Sequence, residues 1–412
     1  MIKILKRRKL NFIFFILFTA MSLTSLPSKD EASGGTTIQY LLLVAFMIIT
    51  LITGGLKQLL LKKINYNFID LIPLLIFGVW MYGVFVGLIN NVPQKYIFRN
   101  FGGMVFYLIF YFFYITKLSV YSIIKSVFFN AYIGIPVIFY LTYLAFTQGN
   151  ISGIGGERVI FCFLQLIIFI PFVIIFGTFF FSIGRNNKYL LFTSKGSLII
   201  IFLISYFTSV IISFSKGMIL ASFIIMALII IFRFLKGFSL NVIIKIFSTL
   251  LLFAGILVYF ELTDTLIELF SNREVSNATR SEQSVYLIDD ISFFGRGLGA
   301  SLTNANYIRA DDAPYAFELT YLNLLHKFGF MACLLFFIYI YTFWKIFKMF
   351  GNNDKRNFLG LLCLGLMVFV FPSIGNPFLL SPLAVICHSL TLYIIKISNT
   401  NLLNKEYGEA TI

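Results

Sequence analysis

The chain has 412 residues, of which 59% are hydrophobic, 18% aromatic and only 12% charged, about half the charged share of an ordinary soluble domain. That balance excludes soluble, disordered and disulfide-rich secreted classes and predicts an all-α polytopic integral membrane protein. The net charge of +15 is therefore read by membrane side before it is read as a nucleic-acid signal.

Lys3, Lys6, Arg7, Arg8 and Lys9 precede an apolar run from Leu10 to Leu26. No small-x-small cleavage site follows, so the run is read as a retained first helix. Further spans are expected near 38–56, 69–89, 101–115, 126–146, 159–182, 197–213, 217–232, 241–260, 319–344, 358–372 and 378–395, about 12 transmembrane helices in all. One helix over 197–232 would overrun a bilayer, and Ser213-Phe214-Ser215-Lys216-Gly217 offers the break. Three regions result: an N-terminal bundle over 1–260, a long loop over 261–318, and C-terminal helices with a tail over 319–412. Cys162, Cys333, Cys363 and Cys387 lie in apolar runs without CxxC spacing and are read as packing residues.

An even number of spans puts both termini on one side. Loop by loop, that side carries 22 of the 32 Lys and Arg but 4 of the 17 Asp and Glu, giving faces of +18 and −3. The positive-inside rule makes the basic side cytoplasmic, with both termini inside and the long loop outside. The partner of this basic surplus is anionic membrane lipid, with no nucleic acid expected.

The segment 261–318 concentrates 13 charged residues between Glu261 and Asp312, and long connections of this kind are usually functional. No internal repeat supports an inverted-repeat transporter. Arg99, Arg158, Lys216, Arg280 and Glu318 fall on the outside at or near span ends, where an ionisable group must pair, snorkel or face a wet cavity. Two readings stand for Arg99, Arg158 and Lys216: stems snorkelling to headgroups, or ligands for an anion. Arg158 follows Gly153-Ile154-Gly155-Gly156-Glu157, where amides and a guanidinium can approach a phosphate together, although Glu157 can also simply pair with it. Lys216 stands at a helix break where hydroxyls and amides can hold an anion; a tight polar turn is the bland alternative. Glu318 precedes a long apolar helix from Leu319 to Trp344, as a general base or as a macrodipole-favoured helix acid. His326 and His388 are read as packing or hydrogen-bonding residues, with a catalytic role for either as the alternative. Gly295-Arg296-Gly297-Leu298-Gly299 follows no strand–helix unit, so the dinucleotide fingerprint is rejected and its glycines are read as shaping a loop that folds back to the membrane. No metal-ligand spacing, P-loop or nucleophile elbow occurs, and neither a metal nor a cofactor is expected.

Four features together resemble the Wzy-like O-antigen polymerase and ligase superfamily. These are the Ser213-Phe214-Ser215-Lys216-Gly217 break, similar to the family's Ser-x-Ser-Arg but with lysine for arginine; Arg280 in the long loop; Phe294-Gly295-Arg296-Gly297-Leu298-Gly299; and the re-entry from Glu318 to Gly329. Ligases of that superfamily carry a histidine at the re-entry, and a glutamate there looks like the polymerase branch, as does Asn376-Pro377-Phe378 through Pro382. The resemblance covers residues 200–395. It implies a GT-C-like, metal-independent glycosyltransferase of the bacterial inner membrane that uses undecaprenyl-diphosphate-linked repeat units. In that reading Arg158, Lys216 and Arg280 hold the diphosphate, Glu318 receives the acceptor proton, and a chain-length regulator is an expected partner. An O-antigen ligase, a lipid-linked oligosaccharide flippase and a membrane scaffold are the alternatives.

Overall fold

The computed structural model describes residues 2–25, 37–52, 67–148, 162–183, 195–213, 215–235, 237, 243–245, 247–248, 255, 274–302, 314–351, 353–375 and 378–398. Among these there is no strand. The helices are α1 (Ile2–Leu23), α2 (Thr37–Thr50), α3 (Phe68–Ile89), α4 (Gln94–Arg99), α5 (Ile109–Thr116), α6 (Val120–Gln148) and α7 (Phe163–Phe181). There follow α8 (Lys195–Tyr206), α9 (Lys216–Leu235), α10 (Glu274–Asp289), α11 (Thr320–Phe328), α12 (Ala332–Phe347), α13 (Asp354–Leu366) and α14 (Pro382–Ser398).

Six described helices, counting short 3₁₀ continuations, are long and apolar enough to cross a membrane, and five apolar helices are shorter. Eleven of the twelve expected apolar segments are thus helical, whereas most of 241–260 lies outside the described residues. The long apolar helices have no water-facing side to spare. On α3, Leu71, Leu74, Met81, Phe85 and Leu88 are exposed while Ile69, Ile72, Ile76, Val79 and Val86 are buried. Helical spacing therefore gives one apolar face to protein and the other to lipid.

The centre of the bundle is α7 and α13, whose best apolar windows are each 83% buried, joined by α14, buried along nearly all its length. Small residues let these helices meet. A Cβ on Gly177 would fall 2.1 Å from Leu361, and one on Gly365 would fall 2.8 Å from Ile170, the close approach expected where lipid gives helices no hydrophobic reason to associate. Three of the cysteines are buried in this packing, whereas Cys333 is exposed.

Many hydroxyls in the helices are satisfied locally. Ser22, Thr50, Ser126, Thr142 and Thr391 each donate to the carbonyl four residues earlier. The expected break between the seventh and eighth spans is present. After α8 the chain widens into a π turn at Phe207–Ile211 and restarts at Lys216. Gln165 Nε2 donates to the Thr208 carbonyl within that turn at 3.3 Å.

One ion pair is fully enclosed. Lys396 on α14 donates to Asp70 on α3, with 6% and 1% of the side chains exposed. Its ammonium also sits 3.9 Å from the centre of the Tyr114 ring, and Asp70 accepts from the Asn67 amide at 3.0 Å. The charge count places both residues on the basic side; in the fold they are a staple between helices more than 300 residues apart in sequence. Removing one member strands the other in a low-dielectric site, which costs about 3–5 kcal/mol. Lys396→Met is therefore expected to lower the melting temperature in detergent, and adding Asp70→Asn to recover most of the loss.

Candidate functional site

The expected long loop carries a helix that its weak apolar periodicity did not announce. This helix, α10, lies beside α11 and runs in the same direction, as three pairings of rising number on both sides show. Arg280 Nε donates to Glu318 Oε2 at 2.9 Å. Gln283 Oε1 accepts from the amides of Glu318 and Leu319 at 3.0 and 3.3 Å. Asp290 Oδ2 pairs with His326 Nε2 at 2.8 Å.

These contacts define what the Glu318 side chain faces. The amides at the start of α11 need acceptors, and Gln283 supplies one, so the Glu318 carboxylate is not spent as a cap. It faces the guanidinium instead, with side-chain exposures of 29% for Arg280 and 19% for Glu318. The second arm of Arg280 points at the Gly375 carbonyl, 3.4 Å away. Gly375 ends a short 3₁₀ turn, Pro372–Ile374, and Tyr321 of α11 holds the turn just before it, Val368–Val370, by donating to the Val370 carbonyl at 2.7 Å. The helix α9 packs against the Pro372–Ile374 turn, and Lys216 is its first residue, half-buried.

The structure thus joins Arg280 to Glu318 and brings the helix of Lys216 onto the turn beside them. Arg158 lies outside the described residues, as do Asn376 and Pro377. Arg99 is exposed at the end of α4. Two buried polar atoms close to the pair have no partner among the described residues: Gln283 Nε2 and Asn323 Oδ1.

The glycine-rich segment folds back onto α3 and α11. The amides of Arg296 and Gly297 donate to the carbonyls of His326 and Lys327 at 2.7 and 2.9 Å, and the Leu298 amide donates to Gly83 of α3 at 2.9 Å. Gly295, Gly297 and Gly299 all have positive φ, between +75° and +84°. A Cβ on Gly297 would fall 2.1 Å from the Gly87 nitrogen, so backbone meets backbone here with no room for a side chain. The helix expected over 319–344 is interrupted at the same place, because Gly329 adopts φ +55° and α11 gives way to a 3₁₀ turn before α12.

Lys327 is fully buried beneath this segment, its ammonium donating to the Ala300 carbonyl and lying 4.6 Å from the Phe317 ring centre. His326 is equally buried. Its Nδ1 has no partner among the described residues, but a ring without exposure offers no path for a reacting hydroxyl. We therefore read the Asp290–His326 bond as a staple between loop and helix. His388 belongs to a second buried network, accepting or donating between Tyr107 at 2.9 Å and Thr342 at 3.0 Å. Sequence reading gave both histidines the right kind of role without their partners, which lie tens to hundreds of residues away.

Compared with protein-family models, curated proteins and solved structures, the chain finds no match.

Proposed function

We propose that the protein is a polymerase that joins polyprenyl-diphosphate-linked oligosaccharide repeat units into a surface polysaccharide, in a GT-C-like bundle of about 12 spans with its site on the outer face of the bacterial inner membrane. The observation that carries this reading is the half-buried Arg280–Glu318 pair at 2.9 Å, a cation and a carboxylate held together at the mouth of an apolar helix. Glycosyl transfer from a diphosphate needs one of each. The bond between the anomeric carbon and the diphosphate oxygen breaks, a carbon–oxygen bond to the acceptor hydroxyl forms, the hydroxyl proton passes to a base, and the diphosphate leaves on its lipid.

In this reading the donor diphosphate competes with Glu318 for the guanidinium, since phosphate oxygens match its fork as well as a carboxylate does. Arg280 then holds the leaving group, and Glu318, released from its counter-charge, takes the acceptor proton. Lys216 and Arg158 add positive charge for the diphosphate. The acceptor is a second lipid-linked repeat unit, and a chain-length regulator is the expected protein partner. A strain lacking the gene is expected to show a surface-glycan gel ladder collapsed to a single repeat unit. Bare lipid A-core with polymer held on its carrier would mean a ligase, and bare core without such polymer a flippase.

A further inference from the structure

Between Asp290 and Arg296 the chain makes a narrow loop whose two ends are tied together. Arg296 donates to the Asp290 carboxylate at 2.6 Å and to its carbonyl at 3.1 Å. The tip of that loop carries Phe293 and Phe294, 71% and 63% exposed, continuous with exposed Val285 and Ile288 on α10. Phe293 stacks on Phe330 at 5.0 Å, and Phe330 meets Tyr82 edge-on at 6.1 Å.

The backbone fixes the depth of this tip. The Phe294 carbonyl accepts from the Tyr82 hydroxyl at 2.7 Å, the Phe330 amide donates to the Phe293 carbonyl at 2.9 Å, and the Leu298 amide reaches Gly83. Phe330, Tyr82 and Gly83 all lie inside apolar helices of membrane-crossing length, Thr320–Phe347 and Phe68–Ile89. Tyr82 is about 10 Å from the end of α3 at the helical rise of 1.5 Å per residue, well within a leaflet whose hydrocarbon is about 15 Å deep. The charged ends of the loop sit higher. The Arg296 carbonyl accepts from Asn90, just past the end of α3, at 3.0 Å, so the paired guanidinium has headgroup level within reach.

We propose that residues 285–299 form a re-entrant segment, with Phe293 and Phe294 immersed among phospholipid acyl chains and the Asp290–Arg296 pair at the headgroups. A water-facing loop would leave four large apolar side chains in one patch, which soluble surfaces avoid unless something covers them. Here the covering follows from position, because the patch is continuous with the lipid-facing side of two crossing helices. The carbonyls of Ser292, Phe293 and Phe294 and the amides of Gly295, Arg296, Gly297 and Leu298 are paired to protein, which lowers the cost of irregular chain at this depth. This assignment does not depend on the chemistry proposed for Arg280 and Glu318.

Nitroxide labels placed at Phe293→Cys, in full-length protein with the native cysteines replaced and reconstituted in phosphatidylglycerol–phosphatidylethanolamine vesicles, test it. Controls are Phe337→Cys on a crossing helix and Glu282→Cys on the polar side of α10, both exposed. Position 293 is expected to match 337: high collision with oxygen and low collision with an aqueous nickel chelate. Nickel access equal to that at 282 would overturn the proposal in favour of water. Protection from both reagents would overturn it in favour of a protein partner or a second copy. If Phe293→Cys does not fold, Phe294→Cys and Ile288→Cys report on the same surface with the same outcomes.

Discussion

Replacing Arg280 by alanine, or Glu318 by glutamine, is expected to lower polymer formation by roughly 10²–10⁴-fold, the range for loss of a positioned acid–base or charge-stabilising group. Folding should be nearly untouched. The pair is partly open to water, and ion pairs in such settings contribute about 0–1 kcal/mol, so neither variant should alter yield or melting behaviour beyond a small shift. The exchange Arg280→Glu with Glu318→Arg sharpens the distinction. It can rebuild an ion pair between α10 and α11, so a purely structural role would be rescued. The proposed chemistry would not be, because the cation and the carboxylate would have traded places against donor and acceptor. Full ladders from the exchanged protein, or from Glu318→Gln at matched expression, would remove the site assignment.

Gly297→Ala is expected to be the most damaging of the small substitutions. The new methyl would sit 2.1 Å from the Gly87 nitrogen and 2.4 Å from its Cα, and neither α3 nor the loop has a flexible side chain there to give way. The residue also stands at φ +84°. Left-handed backbone costs an L-residue about 1–2 kcal/mol and overpacking about 1–3 kcal/mol more. For a chain of this size that is a fall on the order of 5 °C in melting temperature. Gly78→Ala is the control: nothing lies within 4 Å of a Cβ there, and its exposed position in a helix interior favours alanine. A Gly297→Ala protein as stable as the wild type would mean that the loop does not pack on α3. Polymer formation should fall with stability in this variant, since the same segment leads through Asp290 to the helix carrying Arg280.

The apolar helices were legible because long apolar runs such as Phe163–Phe181 leave helix as the way to satisfy the backbone away from water. The break before Lys216 was legible for the same reason, as a polar run within apolar sequence. The interruption at Gly329 was not. A lone glycine in an apolar run does not announce a positive φ; what imposes it is the glycine segment 295–299 arriving from another part of the chain. Nor was α10 visible, since its residues mix charge and apolar groups without a clean stripe. Arg280 and Glu318 were each singled out on their own chemistry, yet their pairing across 38 residues depends on α10 and α11 lying side by side. The Asp290–His326 and Asp70–Lys396 pairs escaped for that reason too. Sequence spacing reports neighbours along one element, whereas these contacts join elements that only packing brings together.

The most direct measurement uses purified protein in proteoliposomes supplied with a chemically defined polyprenyl-diphosphate-linked repeat unit, with products separated by mass spectrometry. The account predicts glycans lengthened by whole repeats, one polyprenyl diphosphate released for each linkage, and both lost in Arg280→Ala and Glu318→Gln. Donor recovered unchanged, or moved across the bilayer without a new linkage, would contradict it.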